Sequence, residues 1–214
     1  MNHIHLIIPE SHSHLIPLYI FQGGFKSNHK QQIKRRLPAS TATDMLWWKD
    51  KLKEEFIGMR ILHPPKPLEM SLFVDTSTTW GIRLILDGKW LAWQFREGWN
   101  FNSHEISWEE MVAVEMAVHT LISVKFNNCH MVICSDNMGV IGALGTGKSC
   151  GVQQNLILHE IIRLIQDNNL WISTFWISTL NNPADRPSRG IFPKKNLLCA
   201  FPPSTIDPTS GEFQ

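Results

Sequence analysis

No stretch of this 214-residue chain approaches the roughly 20 consecutive apolar residues that a membrane-spanning helix needs, which leaves no transmembrane helix to place. Cysteine is sparse: Cys129, Cys134, Cys150 and Cys199 form no Cys-x-x-Cys pair. That spacing argues against a zinc ribbon or a disulfide scaffold, and no signal peptide precedes the cysteines. Both features predict a reducing, intracellular setting, cytoplasmic or nuclear. Excess charge is missing as well. A formal net charge of +1 argues against a nucleic-acid binder that works through bulk charge alone. What is present is apolar material: 43% hydrophobic residues against 18% charged ones, enough for a sizeable core and incompatible with wholesale disorder. The length suits one compact domain of about 150 residues with extensions.

The texture of the chain divides it into three segments. Residues 1–66 read as a helical or irregular connection segment. Its basic stretch holds Lys26, Lys30, Lys34, Arg35 and Arg36, either as a solvated helix face or as a contact for phosphate. Helical spacing over 43–56, with Thr or Asp as cap, predicts a helix that the prolines Pro64, Pro65 and Pro67 bring to an end. The histidine pairs His3/His5 and His12/His14 alternate and lack the i, i+4 spacing of a helical zinc site. Residues 67–190 form the candidate domain. The segment 191–214, with Pro193, Pro202, Pro203 and Pro208, reads as an extended tail.

Within the candidate domain the pattern predicts strands over 68–76, 79–86 and 89–95, the last two joined by Asp87-Gly88, a pair suited to a type I′ turn. A helix follows over 106–124, then a short, wholly apolar strand over 129–135, typical of a buried parallel one. A weak helix from Asn137 runs into the glycine-rich 142–151, followed by a strong helix over 153–167 and a last strand over 170–178. The order β-β-β-α-β-α-β predicts an α/β mixed sheet with helices on its faces. The nine tryptophans serve mainly core and hairpin packing, with Trp47, Trp48 and Trp99 as candidate stacking surfaces.

Four acidic residues stand in telling places. Asp75 closes the first strand, Asp136 follows the apolar strand, Glu110 lies one turn into the helix between them, and Asp185 follows the last strand. A helical crossover makes the strand over 129–135 parallel to that over 68–76, so Asp75 and Asp136 share the carboxyl edge where open α/β sheets build their sites. Glu110 can point down at the pair, and Pro183 and Pro187 can fold Asp185 back to the same edge. Hard divalent cations take oxygen ligands, and two such ions need several carboxylates at one spot. The bland alternatives are turn-forming aspartates at strand ends, a surface glutamate (with Glu109 and Glu115 nearby) and a helix cap at Asp185.

Gly142-Ala143-Leu144-Gly145-Thr146-Gly147-Lys148-Ser149 matches the phosphate-cradling loop of nucleotide hydrolases. That loop must follow a strand directly and open a helix, whereas here the strand ends near Ser135. No acid closes the last strand to bind Mg²⁺, so nucleotide hydrolysis is set aside.

Four ordered motifs resemble the ribonuclease H domain of retroelement reverse transcriptases, nearest to the DIRS-like group. They are Asp75-Thr76-Ser77 with Trp80-Gly81, Glu109-Glu110-Met111-Val112-Ala113, Ser135-Asp136-Asn137, and Asn182-Pro183-Ala184-Asp185-Arg186-Pro187-Ser188-Arg189. Arg36-Leu37-Pro38 through Trp47-Trp48 looks like the connection that precedes such domains, so the likeness spans roughly residues 35–195. Ala113 stands at the family spacing from Glu110, which favours it over Glu109. Thr76 replaces the usual small residue, and 178–182 lacks the histidine of many cellular enzymes.

The resemblance implies a ribonuclease H-like fold, a five-stranded mixed sheet of order 3-2-1-4-5, and hydrolysis of the RNA strand of RNA–DNA hybrids. It implies two Mg²⁺ ions, with Mn²⁺ as substitute, about 4 Å apart and held by Asp75, Glu110, Asp136 and Asp185, of which Asp75 bridges. Ser77, Asn137 and Asn182 would meet the substrate's 2′-hydroxyls, and Arg186 or Arg189 a phosphate. The implied partners are an RNA–DNA hybrid and a reverse transcriptase polymerase domain. The chain would be a carboxy-terminal piece or a freestanding descendant of a longer polyprotein. The alternative from another class is a catalytically inactive ribonuclease H-like module that binds nucleic acid or protein.

Overall fold

The computed structural model describes residues 8, 10–25, 34–55, 64–95 and 106–191. The basic residues Lys26 and Lys30, the pair His3/His5, Trp99, Cys199 and nearly all of the segment 191–214 lie outside them.

A five-stranded mixed sheet of order β3-β2-β1-β4-β5 organises the chain. Strands β1 (Pro67–Ser77), β2 (Gly81–Leu86) and β3 (Lys89–Gln94) form an antiparallel meander. Asp87 (φ 48°) and Gly88 (φ 73°) both adopt positive φ, as a type I′ turn requires. Gly81 is demanded by close approach: at φ 154°, a Cβ there would sit 2.1 Å from the Trp93 carbonyl oxygen on β3. Helix α3 (Ile106–Ser123) then crosses over to β4 (His130–Ser135), which runs parallel to β1, and β5 (Trp171–Trp176) runs parallel to β4. This is the α/β, ribonuclease H-like architecture expected from the motif order.

Burial follows the role of each element. Every residue of β2 is buried, and α3 is buried from Trp108 to Val118. Leu72, Val74, Ile82, Leu84, Met111, Val112, Met131 and Ile133 share one core with Ile157 and Ile161 of α5 (Val152–Asp167). Each such side chain withdrawn from water stabilises the fold by roughly 1.5–3 kcal/mol before entropy is counted. Among the described residues no helix is long and apolar enough to cross a membrane.

Helix α4 (Met138–Thr146) is longer than the glycines suggested. Asn137 caps it, its Oδ1 accepting from the amides of Gly139 (2.9 Å) and Val140 (3.2 Å), and the helix ends at Gly147 in the left-handed region. Gly142 and Gly145 therefore lie inside a helix, where their amides are not arranged as a phosphate cradle.

The amino-terminal segment supplies α1 (Ser11–Gly23) and α2 (Ala39–Lys51). Helix α2 begins directly after Pro38, four residues before the cap expected at Thr43, because an extended Pro38 sets the entry angle and the Thr43 hydroxyl donates back to the Ala39 carbonyl (3.1 Å). Pro17 lies within α1 and lacks the N–H that would bond the Ser13 carbonyl. Asn155 of α5 takes that carbonyl instead, through Nδ2 at 2.5 Å. A ring nitrogen of His12 lies 2.9 Å from the Thr146 carbonyl, and Gln166 donates to Glu10 (3.0 Å). These bonds seat α1 against α5 and the end of α4.

Candidate metal centre

The register of β1 against β4 pairs Phe73 with Cys134, so two residues further on Asp75 stands level with Asp136. Both lie at the carboxyl edge of neighbouring parallel strands, the place where their backbones open to form a crevice. Helix α3 packs across β1 and delivers Glu110 from above. Ligand oxygens of Asp75, Glu110 and Asp136 all lie within 4.8 Å of one another.

This convergence is electrostatically costly. Asp75 is 4% exposed and Glu110 6% exposed. Burial pushes the Asp75 carboxyl up to about 6; the Ser188 hydroxyl opposes that rise, and the Asp136 and Asp185 carboxylates add to it. Burial, then the charges of Asp75 and Asp136, push Glu110 up to about 8. Glu110 Oε2 is buried with no hydrogen-bond partner among the described residues. Buried carboxylates pointed at one another, with an orphaned oxygen among them, fit a cation: its charge relieves the repulsion, and its shell supplies the missing contact.

Glu109, also buried, belongs to the core side of α3; burial alone pushes it up to about 7. It is not one of the three clustered acids.

Asp185 opens the short helix α6 (Asp185–Ser188), which packs on β1 and β2. It stands near enough to Asp75 to raise it, yet outside the three-carboxylate group. Its Oδ1 accepts from Arg189 Nη2 (2.8 Å) and Nε (3.1 Å). Arg189 thus engages Asp185, and Arg186 is exposed beside it.

The polar residues around the acids divide by role. Asn182 is 4% exposed, and its amide bridges the chain: Nδ2 donates to the Val74 carbonyl (3.1 Å) while Oδ1 accepts from the Ala184 amide (3.0 Å). It anchors the turn that carries Asp185 to the strand that carries Asp75. Asn137 spends its carbonyl oxygen on the cap of α4. The Ser77 hydroxyl lies 2.8 Å from that of Thr79 at the end of β1.

The contacts of Ser188, Thr179, Trp176 and Arg83 were not singled out from the sequence. Ser188 Oγ lies 2.6 Å from Asp75 Oδ2 and 2.7 Å from the Asp185 carbonyl, joining the two acids. Thr179 Oγ1 donates to Asp136 Oδ2 (2.6 Å), and Trp176 Nε1 donates to the Asp136 carbonyl (3.1 Å). Ser188 sits inside the Asp185 motif, so the signal was present; nothing local marks Thr179 or Trp176, whose position depends on the β4–β5 register. Arg83, directly across from Asp75 on β2, is fully buried. Its guanidinium lies over the Trp80 and Trp90 rings and donates to the Pro187 carbonyl (2.7 Å), pinning α6 to the sheet.

No protein-family model matches the chain, and no curated protein matches it significantly.

Proposed function

We propose that this chain is a metal-dependent endoribonuclease that hydrolyses the RNA strand of RNA–DNA hybrids, of the kind found in retroelement reverse transcriptases. The observation that carries the reading is the convergence of Asp75, Glu110 and Asp136 within 4.8 Å at the carboxyl edge of β1 and β4. A ribonuclease H-like sheet with an acid at each of these positions leaves a hard cation as the group the site best accommodates.

Asp75, Glu110, Asp136 and Asp185 would hold two Mg²⁺ ions, or Mn²⁺ in their place. Bound there, the ions supply Lewis acidity toward a phosphodiester and toward the water that attacks it. The chain's own residues do the rest. Ser188 and Thr179 each hold one carboxylate oxygen, of Asp75 and Asp136 respectively, so that the remaining oxygens face the crevice. Asn182 and Arg83 fix the turn and the helix that carry Asp185. Ser77 and the amide of Asn137 would meet 2′-hydroxyls, and Arg186, or Arg189 on leaving Asp185, a backbone phosphate. Asn182, being buried, contributes by position.

Substrate choice tests the assignment. With Mg²⁺, the RNA strand of a labelled hybrid is cut, while DNA duplex of the same sequence is not. Equal cutting of both, or of neither, contradicts it.

A further inference from the structure

Outside the acidic cluster, three elements bring together a second set of metal-binding side chains. His14 comes from α1, Asp44 from α2 and His159 from α5, and one ligand atom from each lies within 4.8 Å of the others. His12 takes no part: His14 finds its partners on other elements, which the alternating His12/His14 spacing does not reveal. We infer that His14, Asp44 and His159 form a site for a borderline transition-metal ion, Zn²⁺ by donor set, which staples the amino-terminal helices to the sheet domain.

The donors fit that ion. Two imidazoles and one carboxylate suit Zn²⁺ and its neighbours rather than Mg²⁺, which wants oxygen alone. His14 Nδ1 now lies 2.7 Å from Asp44 Oδ1. Ligands at roughly 2.0–2.1 Å around a tetrahedral centre stand about 3.3 Å apart, so this pair opens by roughly half an ångström while the third donor closes in. Such movement is within reach of side-chain rotation. Asp44 is 2% exposed and His14 8% exposed. Among the described residues no lysine or arginine pairs with Asp44. Asp44 has the His14 ring as its partner, and a cation binds both once the proton they share leaves.

The surroundings gather the ligands and leave access. The His14 ring is stacked between Trp47 and His159, with centroids 3.8 Å away on each side, so the His159 ring turns out of the stack when both imidazoles face one ion. Asn155 Nδ2, which takes the Ser13 carbonyl freed by Pro17, also lies 3.3 Å from His159 Nε2. The site opens on a cavity of about 570 Å³ bordered by Glu10, Asp50, Glu54 and Glu160 against Lys51 and Arg163. The bordering carboxylates are ion-paired with Lys51, Lys53 and Arg163, and the volume leaves a fourth position for water.

The test uses the full chain and its Asp136→Asn variant, in which the acidic cluster is weakened, titrated with Zn²⁺ and with Co²⁺ as a visible reporter. The inference predicts one tight equivalent in both proteins, with a raised unfolding temperature and the intense ligand-field bands of four-coordinate Co²⁺. His159→Gln should weaken that binding at least tenfold while Mg²⁺-dependent hybrid cleavage stays unchanged. Should His159→Gln fail to fold, His159→Cys decides, because a thiolate ligand adds a sulfur charge-transfer band to the Co²⁺ spectrum. Binding that disappears with Asp136→Asn, that is equal in wild type and His159→Gln, or that leaves the His159→Cys spectrum without the new band overturns the inference.

Discussion

Glu110 occupies a place that a carboxylate tolerates only in company. It is 6% exposed, faces Asp75 and Asp136, and titrates near 8 where an ordinary glutamate titrates near 4.5. At pH 8 the unfolded chain has lost this proton and the folded chain still half retains it. Folding therefore binds protons, and metal-free stability falls as pH rises from about 4.5 to about 8. Glu110→Gln removes that fall: thermal unfolding in chelator should show the variant more stable than wild type at pH 8, by several kcal/mol, and equal to it at pH 4. Ser188 acts in the opposite direction on Asp75, since its hydrogen bond favours the ionised form. Ser188→Ala should move the acid limb of the pH–rate profile up by roughly one pH unit, with the rate at pH 8.5 little changed. Of these residues Asp75, Glu110 and Asp136 were legible in the sequence, because each closes or opens a regular element whose direction fixes where it points. Thr179 and Trp176 were not, since their contacts arise only when β5 docks beside β4.

At the scale of elements, alternation and apolar runs identified all five strands to within two residues at each end, and Asp87-Gly88 marked the hairpin because both positions need positive φ. Helices were less legible where tertiary contact overrides local preference. Helix α4 runs through Gly142 and Gly145 because the Asn137 cap and the burial of Val140 and Ala143 outweigh the glycine penalty. Helix α1 keeps Pro17 because the side chain of Asn155 satisfies the carbonyl that proline leaves open. The short helix α6 depends on contacts of the same kind, with Arg83 holding the Pro187 carbonyl and Asn182 holding Val74 and Ala184. Asn182→Ala leaves two buried backbone groups unsatisfied, a loss of about 1–3 kcal/mol that should lower Tm by roughly 3–8 °C. Cleavage should fall as well, because Asp185 is carried by the same turn. Unchanged Tm and unchanged activity together would show that the turn holds itself in place.

Over the whole molecule, the acidic edge and the amino-terminal helices lie apart, and each should respond to metal in its own way. On the proposed reading Mg²⁺ would bind only the folded acid cluster and compete with protons there. Calorimetry should show stabilisation that grows with pH, reaching about 2.7 kcal/mol when Mg²⁺ is at a hundredfold excess over its dissociation constant at pH 8, and shrinking at pH 6. A stabilisation independent of pH would place the ion elsewhere. Whether the converged carboxylates act as a catalytic metal centre is decided by one assay: cleavage of a labelled RNA–DNA hybrid by the full chain with Mg²⁺, with Mn²⁺ and with chelator, beside Asp136→Asn. RNA-strand cutting should need either ion and be lost in the variant. Folded protein that cuts with neither ion, or an Asp136→Asn variant that cuts as well as wild type, would contradict it.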